Sequence, residues 1–143
     1  DGATKTNNKD GMDMSLCKIN FKKKTLEFAG ANNPLIHISN DKLENIKGNS
    51  QPVGLSVIDN KPFTNHQIKL KKGDMIYTYS DGYQDQFGGP KGKKYMVKKL
   101  RTFLKEISKL TIEEQSVKIQ EEFHGWKGNL EQVDDICVMG LRV

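Results

Sequence analysis

Along the first two-thirds of the chain, apolar and polar residues alternate with a period of two. Met12, Met14 and Leu16 fall on one face, and Cys17, Ile19 and Phe21 continue on the other. Leu26 and Phe28 alternate within residues 25–30 (TLEFAG), and residues 34–39 (PLIHIS) form a short apolar run. Residues 63–70 (FTNHQIKL) and 74–80 (DMIYTYS) read as further strands joined by a KKGD turn. The lysine-rich stretch at 21–25 (FKKKT) reads as another hairpin turn, and residues 48–61 as a longer loop.

The period then changes. Met96, Val97, Leu100, Phe103, Leu104 and Ile107 follow helical spacing. In the next segment Thr111 is followed three residues later by Glu114, a capping-box pattern that opens a second helix. Ile112, Ile119, Phe123 and Trp126 share one face of that helix, and GWKGN stops it. An apolar strand within residues 134–143 (DDICVMGLRV) ends the chain. Strands, then two helices, then a returning strand predict an α+β fold built on antiparallel sheets.

With 143 residues the chain is long enough for one domain with a real core. Its +5 charge is spread along the sequence rather than gathered with aromatic residues, so it argues against nucleic acid as the partner. No apolar run approaches the roughly 20 residues of a membrane span, and the opening DGATKTNNKDG has no signal-peptide pattern. That polar start, without Met, predicts a piece of a longer protein, with residues 1–10 flexible. Cys17 and Cys137 are too few and too far apart for a disulfide framework or a zinc site, and read as buried free thiols of a reducing cytoplasm.

The familiar catalytic motifs are missing. There is no G-x-S-x-G and no H-E-x-x-H; His37, His66 and His124 are scattered and read as surface or strand residues. GGPKGKK fails the phosphate-loop spacing and reads as a flexible basic loop. Carboxylates remain. Asp81 follows one strand directly, and Asp134 and Asp135 precede another. If those strands are antiparallel neighbours, the acids converge at one sheet edge, as hard divalent cations require. Gly82 would let the backbone turn sharply beside an ion. The plain alternative is an Asp-Gly turn and a strand-boundary acid.

YTYSDGYQDQFGG together with EQVDDICVMGLRV resembles the C-terminal half of the bacterial PP2C-like (PPM) serine/threonine phosphatases, in the sporulation-stage-II-E-type branch. FAGANNPLIHI is similar to that branch's AGHNPPLLL segment, with Ala31 in place of the usual His, and SQPVGLS resembles its GxPLGL loop. The four motifs stand in family order. The resemblance implies an α-β-β-α sandwich and a metal-dependent phosphoprotein phosphatase. Its cofactors would be Mn²⁺ or Mg²⁺, two ions in the complete domain, with none expected to be bound by this segment alone. By the resemblance Asp81 and Asp134 are metal ligands. Asp135 and Gly82 support them, Asp10 lies near an accessory metal position, and Asp85 and Gln86 are candidates for supporting roles in a variable loop.

The family's first motif, an Asp with G-H-G or similar that supplies the bridging carboxylate, matches nothing here. The resemblance therefore implies that residues 1–143 are the C-terminal part of one domain, inactive or nearly so alone, with an exposed sheet edge prone to pairing with another copy. The implied partner is a phosphorylated regulatory protein, of which an anti-sigma-factor antagonist is one candidate. The implied location is cytoplasmic, or the cytosolic side of a membrane-attached parent. The competing function is a non-catalytic binding module of the same fold.

Overall fold

A computed structural model describes residues 11–54 and 61–143. In chain order the elements are β1 (Gly11–Met12), β2 (Met14–Asn20), β3 (Thr25–Ala31), β4 (Leu35–Ser39), β5 (Lys42–Ile46), β6 (Val53–Gly54), β7 (His66–Lys69) and β8 (Met75–Tyr79). There follow α1 (Gly82–Asp85), β9 (Phe87–Gly88), β10 (Lys93–Lys94), α2 (Val97–Ile107), α3 (Ile112–Lys127) and β11 (Val138–Arg142). The fold is α+β with antiparallel sheets, as the pattern predicts.

Three layers stack. A sheet of order β2-β3-β7 packs on a sheet of order β11-β8-β4-β5, and α2 and α3 cover the far face of the second. Strand alternation sorts the side chains between the layers. Ile36, Ile38, Met75, Tyr77 and Tyr79 join Leu100, Leu104, Ile107 and Phe123 under the helices. Leu35 and Ile76 point the other way and meet Leu26, Phe28, Ile46 and Leu70 between the sheets.

The capping box forms at Thr111: its hydroxyl accepts from the Glu114 amide at 3.2 Å, and the Glu114 carboxylate accepts from the Thr111 amide at 2.8 Å. In α3, Gln115 is buried at a position the apolar pattern skips. It accepts from the Tyr77 hydroxyl at 2.5 Å and donates to the Leu110 carbonyl at 2.9 Å. Ile112, assigned to the buried face by spacing, is 39% exposed.

Several expectations change. The KKGD segment is not a hairpin, because β7 and β8 belong to different sheets. It is a crossing between layers. The buried Asp74 carboxylate accepts from the Lys71 amide at 2.8 Å and pairs with His37 Nε2 at 2.8 Å. His37, of the two readings surface or strand, is the strand residue: it lies in β4 and is buried. Residues 42–46 form a strand that the apolar pattern does not announce. Asn40 and Asp41 make the tight turn before it, with φ of 48° and 63°, as a type I′ turn demands. Cys17 and Cys137 are exposed rather than buried. Cys17 lies on the edge strand β2, and Cys137 lies just before β11 begins. Ala31 is buried, so it fills space.

Candidate metal centre

The strand pair that carries the acids is β8 and β11. They run antiparallel, with Tyr79 opposite Val138 and Met75 opposite Arg142. The ladder continues one step further, since the Ser80 amide donates to the Cys137 carbonyl at 2.9 Å. Asp81 leaves β8 at the same end at which residues 134–137 approach β11. The two segments are therefore neighbours, as the sequence reading requires. The strand β11 starts at Val138, however, so Asp134 and Asp135 sit on the loop before it rather than at its first residue.

Two residues fix that approach. The Ser80 hydroxyl donates to the Asp135 carbonyl and accepts from the Cys137 amide, both at 3.0 Å. Gly82 is in backbone contact with the same loop: a Cβ there would lie 2.3 Å from the Asp135 carbonyl oxygen, a separation that side-chain carbons do not tolerate. Gly82 thus serves close approach, which the Asp-Gly turn reading left open.

The loop is held from its other side by Gln86, whose side chain is completely buried. Its amide nitrogen donates to the carbonyls of Glu131 at 2.8 Å and Phe87 at 3.0 Å, and its oxygen accepts from the Val133 amide at 3.3 Å. Its own carbonyl accepts from Trp126 Nε1 at 3.1 Å and from the Tyr95 amide at 2.9 Å. One residue, through its side chain and its carbonyl, thereby joins α1, the β9–β10 hairpin, α3 and the acid-bearing loop. The stretch read as a flexible basic loop is that hairpin. Its base is pinned where Gly88 meets the Trp126 carbonyl, and a Cβ there would come within 1.9 Å of the oxygen. The sequence signal for Gln86 was only its place beside Asp85; no motif marks it. Asp85 pairs with Lys94 at 3.3 Å instead of facing the acids.

Asp81, Asp134 and Asp135 are all exposed. One Asp134 oxygen accepts from the Asp135 amide at 2.7 Å, and the Asp134 carbonyl accepts from Gln132 at 2.9 Å. The donors available at this edge are carboxylate and carbonyl oxygens, the kind that Mg²⁺ and Mn²⁺ prefer. Their number is short: among the described residues no three His, Cys, Asp or Glu side chains gather closely enough to hold an ion. The donor set fits part of one coordination sphere and does not by itself hold a pair of ions. Asp10 lies outside the described residues.

Comparison with known proteins decides the family. The model of the Stage II sporulation protein E (SpoIIE) family matches residues 3–143. The chain belongs to the SpoIIE family. No curated protein matches it. Among solved structures, this SpoIIE-family chain is similar to the SiaA-PP2C domain of Pseudomonas aeruginosa, at 24% identity and a TM-score of 0.84 over 92% of this chain and 51% of that one. It is also similar to the PP2C phosphatase domain of SpoIIE from Bacillus subtilis solved with a fragment of its regulatory domain. That match has 20% identity and a TM-score of 0.71, over 92% of this chain and 37% of that one. A third similar structure is RsbX in complex with magnesium, with 20% identity and a TM-score of 0.58 over 91% of this chain and 55% of that one. These likenesses establish the PP2C phosphatase-domain fold. The chain spans about half the length of those structures or less. No helix among its described residues is long and apolar enough to cross a membrane.

Proposed function

We propose that this SpoIIE-family chain supplies one wall of a metal-dependent phosphoprotein phosphatase site, with Asp81 and Asp134 as ligands. The observation that carries the reading is the β8–β11 register, locked by Ser80 and Gly82, which brings both acids to one sheet end. Asp135 contributes mainly through its backbone, which Ser80 grips. Gln86 keeps the loop from swinging away. Bound Mn²⁺ or Mg²⁺ would supply an activated water and neutralise charge on the phosphoryl oxygens. Roughly six oxygens are needed around such an ion, so the remaining ligands come from outside this trio. The substrate class is a phosphorylated regulatory protein, with an anti-sigma-factor antagonist as one candidate, met in the cytosol.

The test is hydrolysis of a phosphoserine peptide by the natural full-length protein with Mn²⁺, compared with its Asp81→Asn and Asp134→Asn variants. Each substitution should lower kcat at least about 100-fold, the scale of losing a preorganised charge contact in a site. Unchanged turnover in both would overturn the ligand assignment. The shortage of clustered ligands among the described residues favours a second reading, a non-catalytic binding module of the same fold. A full-length protein that hydrolyses no phosphopeptide with either metal would select it.

A further inference from the structure

One turn beyond Asp81, the surface changes character. The Asp85 amide donates to the Asp81 carbonyl at 3.0 Å, closing α1, and the Met96 amide donates to the Gln84 carbonyl at 2.8 Å, setting α2 against it. From that junction a groove of about 600 Å³ runs along α2 towards Lys105. Leu43, Met96 and Val97 give it an apolar lining. Lys98, Arg101 and Lys105 line the same groove at a spacing of three and four residues, so they form one stripe on the helix.

Among the described residues these cations are in no ion pair. Lys99, their neighbour on α2, is taken up by Glu122 at 3.1 Å and by the ring of Trp126 at 3.9 Å. Among the described residues, Lys98, Arg101 and Lys105 have no salt-bridge partner within 4.0 Å. Arg101 Nε is buried without a hydrogen-bond partner, and the guanidinium lies beside the buried Tyr79 hydroxyl. The single acid in the groove, Asp85, is already paired with Lys94. Met96, at the mouth, is 59% exposed and has φ of 77°, an uncommon backbone for a side chain of that size.

We propose that this groove docks an acidic segment of the protein substrate, amphipathic enough to set apolar side chains on Leu43, Met96 and Val97 while its carboxylates meet Lys98, Arg101 and Lys105. The inference rests on the phosphatase reading for the identity of the partner, since the groove begins beside Asp81 and would guide a flanking segment past it. Charge complementarity selects the occupant: a stripe of three cations, in no ion pair among the described residues, over an apolar lining. Nucleic acid fits less well, because the groove offers no aromatic platform for bases and carries Asp85 at one end.

The experiment is fluorescence anisotropy of the 143-residue chain with a fluorescein-labelled peptide of alternating Glu and Leu, run beside a Gln-for-Glu peptide and a single-stranded DNA oligonucleotide. The Glu peptide should bind, more weakly as salt rises, and the Gln peptide should bind at least about tenfold more weakly, a difference of about 1.4 kcal/mol. Lys98→Glu and Lys105→Glu, both at exposed positions, should each weaken the Glu peptide several-fold, and Arg101→Gln should do so without reversing charge. Asp81→Asn should bind it as the unaltered chain does, so docking is read independently of hydrolysis. Failure of phosphopeptide turnover with docking intact would remove the phosphatase reading alone. Equal binding of both peptides, indifference to all three groove substitutions, or tighter binding of the oligonucleotide would overturn the docking site.

Discussion

Replacing Gln86 tests how the acid-bearing loop is held. Gln86→Leu keeps the size and burial of the side chain but removes three hydrogen bonds, two to carbonyls and one from the Val133 amide. The Glu131 carbonyl and the Val133 amide lose their Gln86 partner at part-buried positions, on residues that are themselves exposed, so water can replace part of what is lost. Each buried group left unpaired costs about 1–3 kcal/mol, and the apolar replacement recovers part of this. The loop can also shift towards water, so the expected loss is about 2–3 kcal/mol, below the sum of two full penalties. Gln86→Glu should be worse, because a carboxylate cannot donate to either carbonyl and brings a charge into a fully buried position. Urea denaturation gives the stability change, and amide hydrogen exchange gives its location. Protection should fall at Val133 and its neighbours before it falls in β8. A loss under about 0.5 kcal/mol, the ordinary range for inconsequential surface changes, with exchange at Val133 unaltered, would refute the stapling role.

Further outcomes follow from the same geometry. Gly82→Ala must move the Asp135 backbone, because the new Cβ would start 2.3 Å from its oxygen. The expected cost is about 1–3 kcal/mol of overpacking, with amide shifts at Asp134 and Asp135 in NMR spectra; unchanged shifts would refute the contact. Burial raises the pKa of all four tyrosines, that of Tyr77 to about 12 and those of Tyr83 and Tyr95 higher still. Their contribution to stability is complete below the free value of about 10 and is lost as pH rises above it. Phenolate absorbance should therefore appear only with alkaline unfolding. Asp74 works at the other extreme. Burial alone would raise its pKa, but hydrogen bonds from Ser39, His37 and the Lys71 amide outweigh that and hold the carboxyl below its ordinary range. Its stabilisation is complete above about pH 3.9 and fades as pH falls through the folded-state value. Asp74→Asn should flatten the acid limb of the stability curve. The exposed Leu16 on β2 and Met139 on β11, both edge strands, predict concentration-dependent self-association in sedimentation, which Leu16→Lys with Met139→Lys should abolish.

The elements that carry most of the core were legible because their periods are clean. The spacing of Leu100, Leu104 and Ile107 fixes α2, and Tyr77 and Tyr79 alternate with Ile76 and Thr78 as β8 requires. That the end of β8 and the segment before β11 lie side by side was legible once their strands were taken as neighbours. What escaped the pattern was polar. Gln86, Gln115 and the His37–Asp74 pair are buried hydrophilic groups whose partners lie about 35–50 residues away in sequence, so no local spacing marks them. The edge strand β2 misled in the opposite way, since its apolar alternation suggested burial for Cys17 where that side chain is exposed. A turn such as KKGD reads the same whether it joins strands of one sheet or crosses between two, because its chemistry is local and the layer choice is not.

Asp81 and Asp134 are proposed to face one ion. Paramagnetic broadening of amide signals on adding Mn²⁺ to this chain tests it without requiring turnover. Binding should be weak, with broadening centred on Asp81, Gly82, Asp134 and Asp135 and lost in both Asp81→Asn and Asp134→Asn. Broadening centred elsewhere, or at one of the two segments and untouched by substitution in the other, would contradict it.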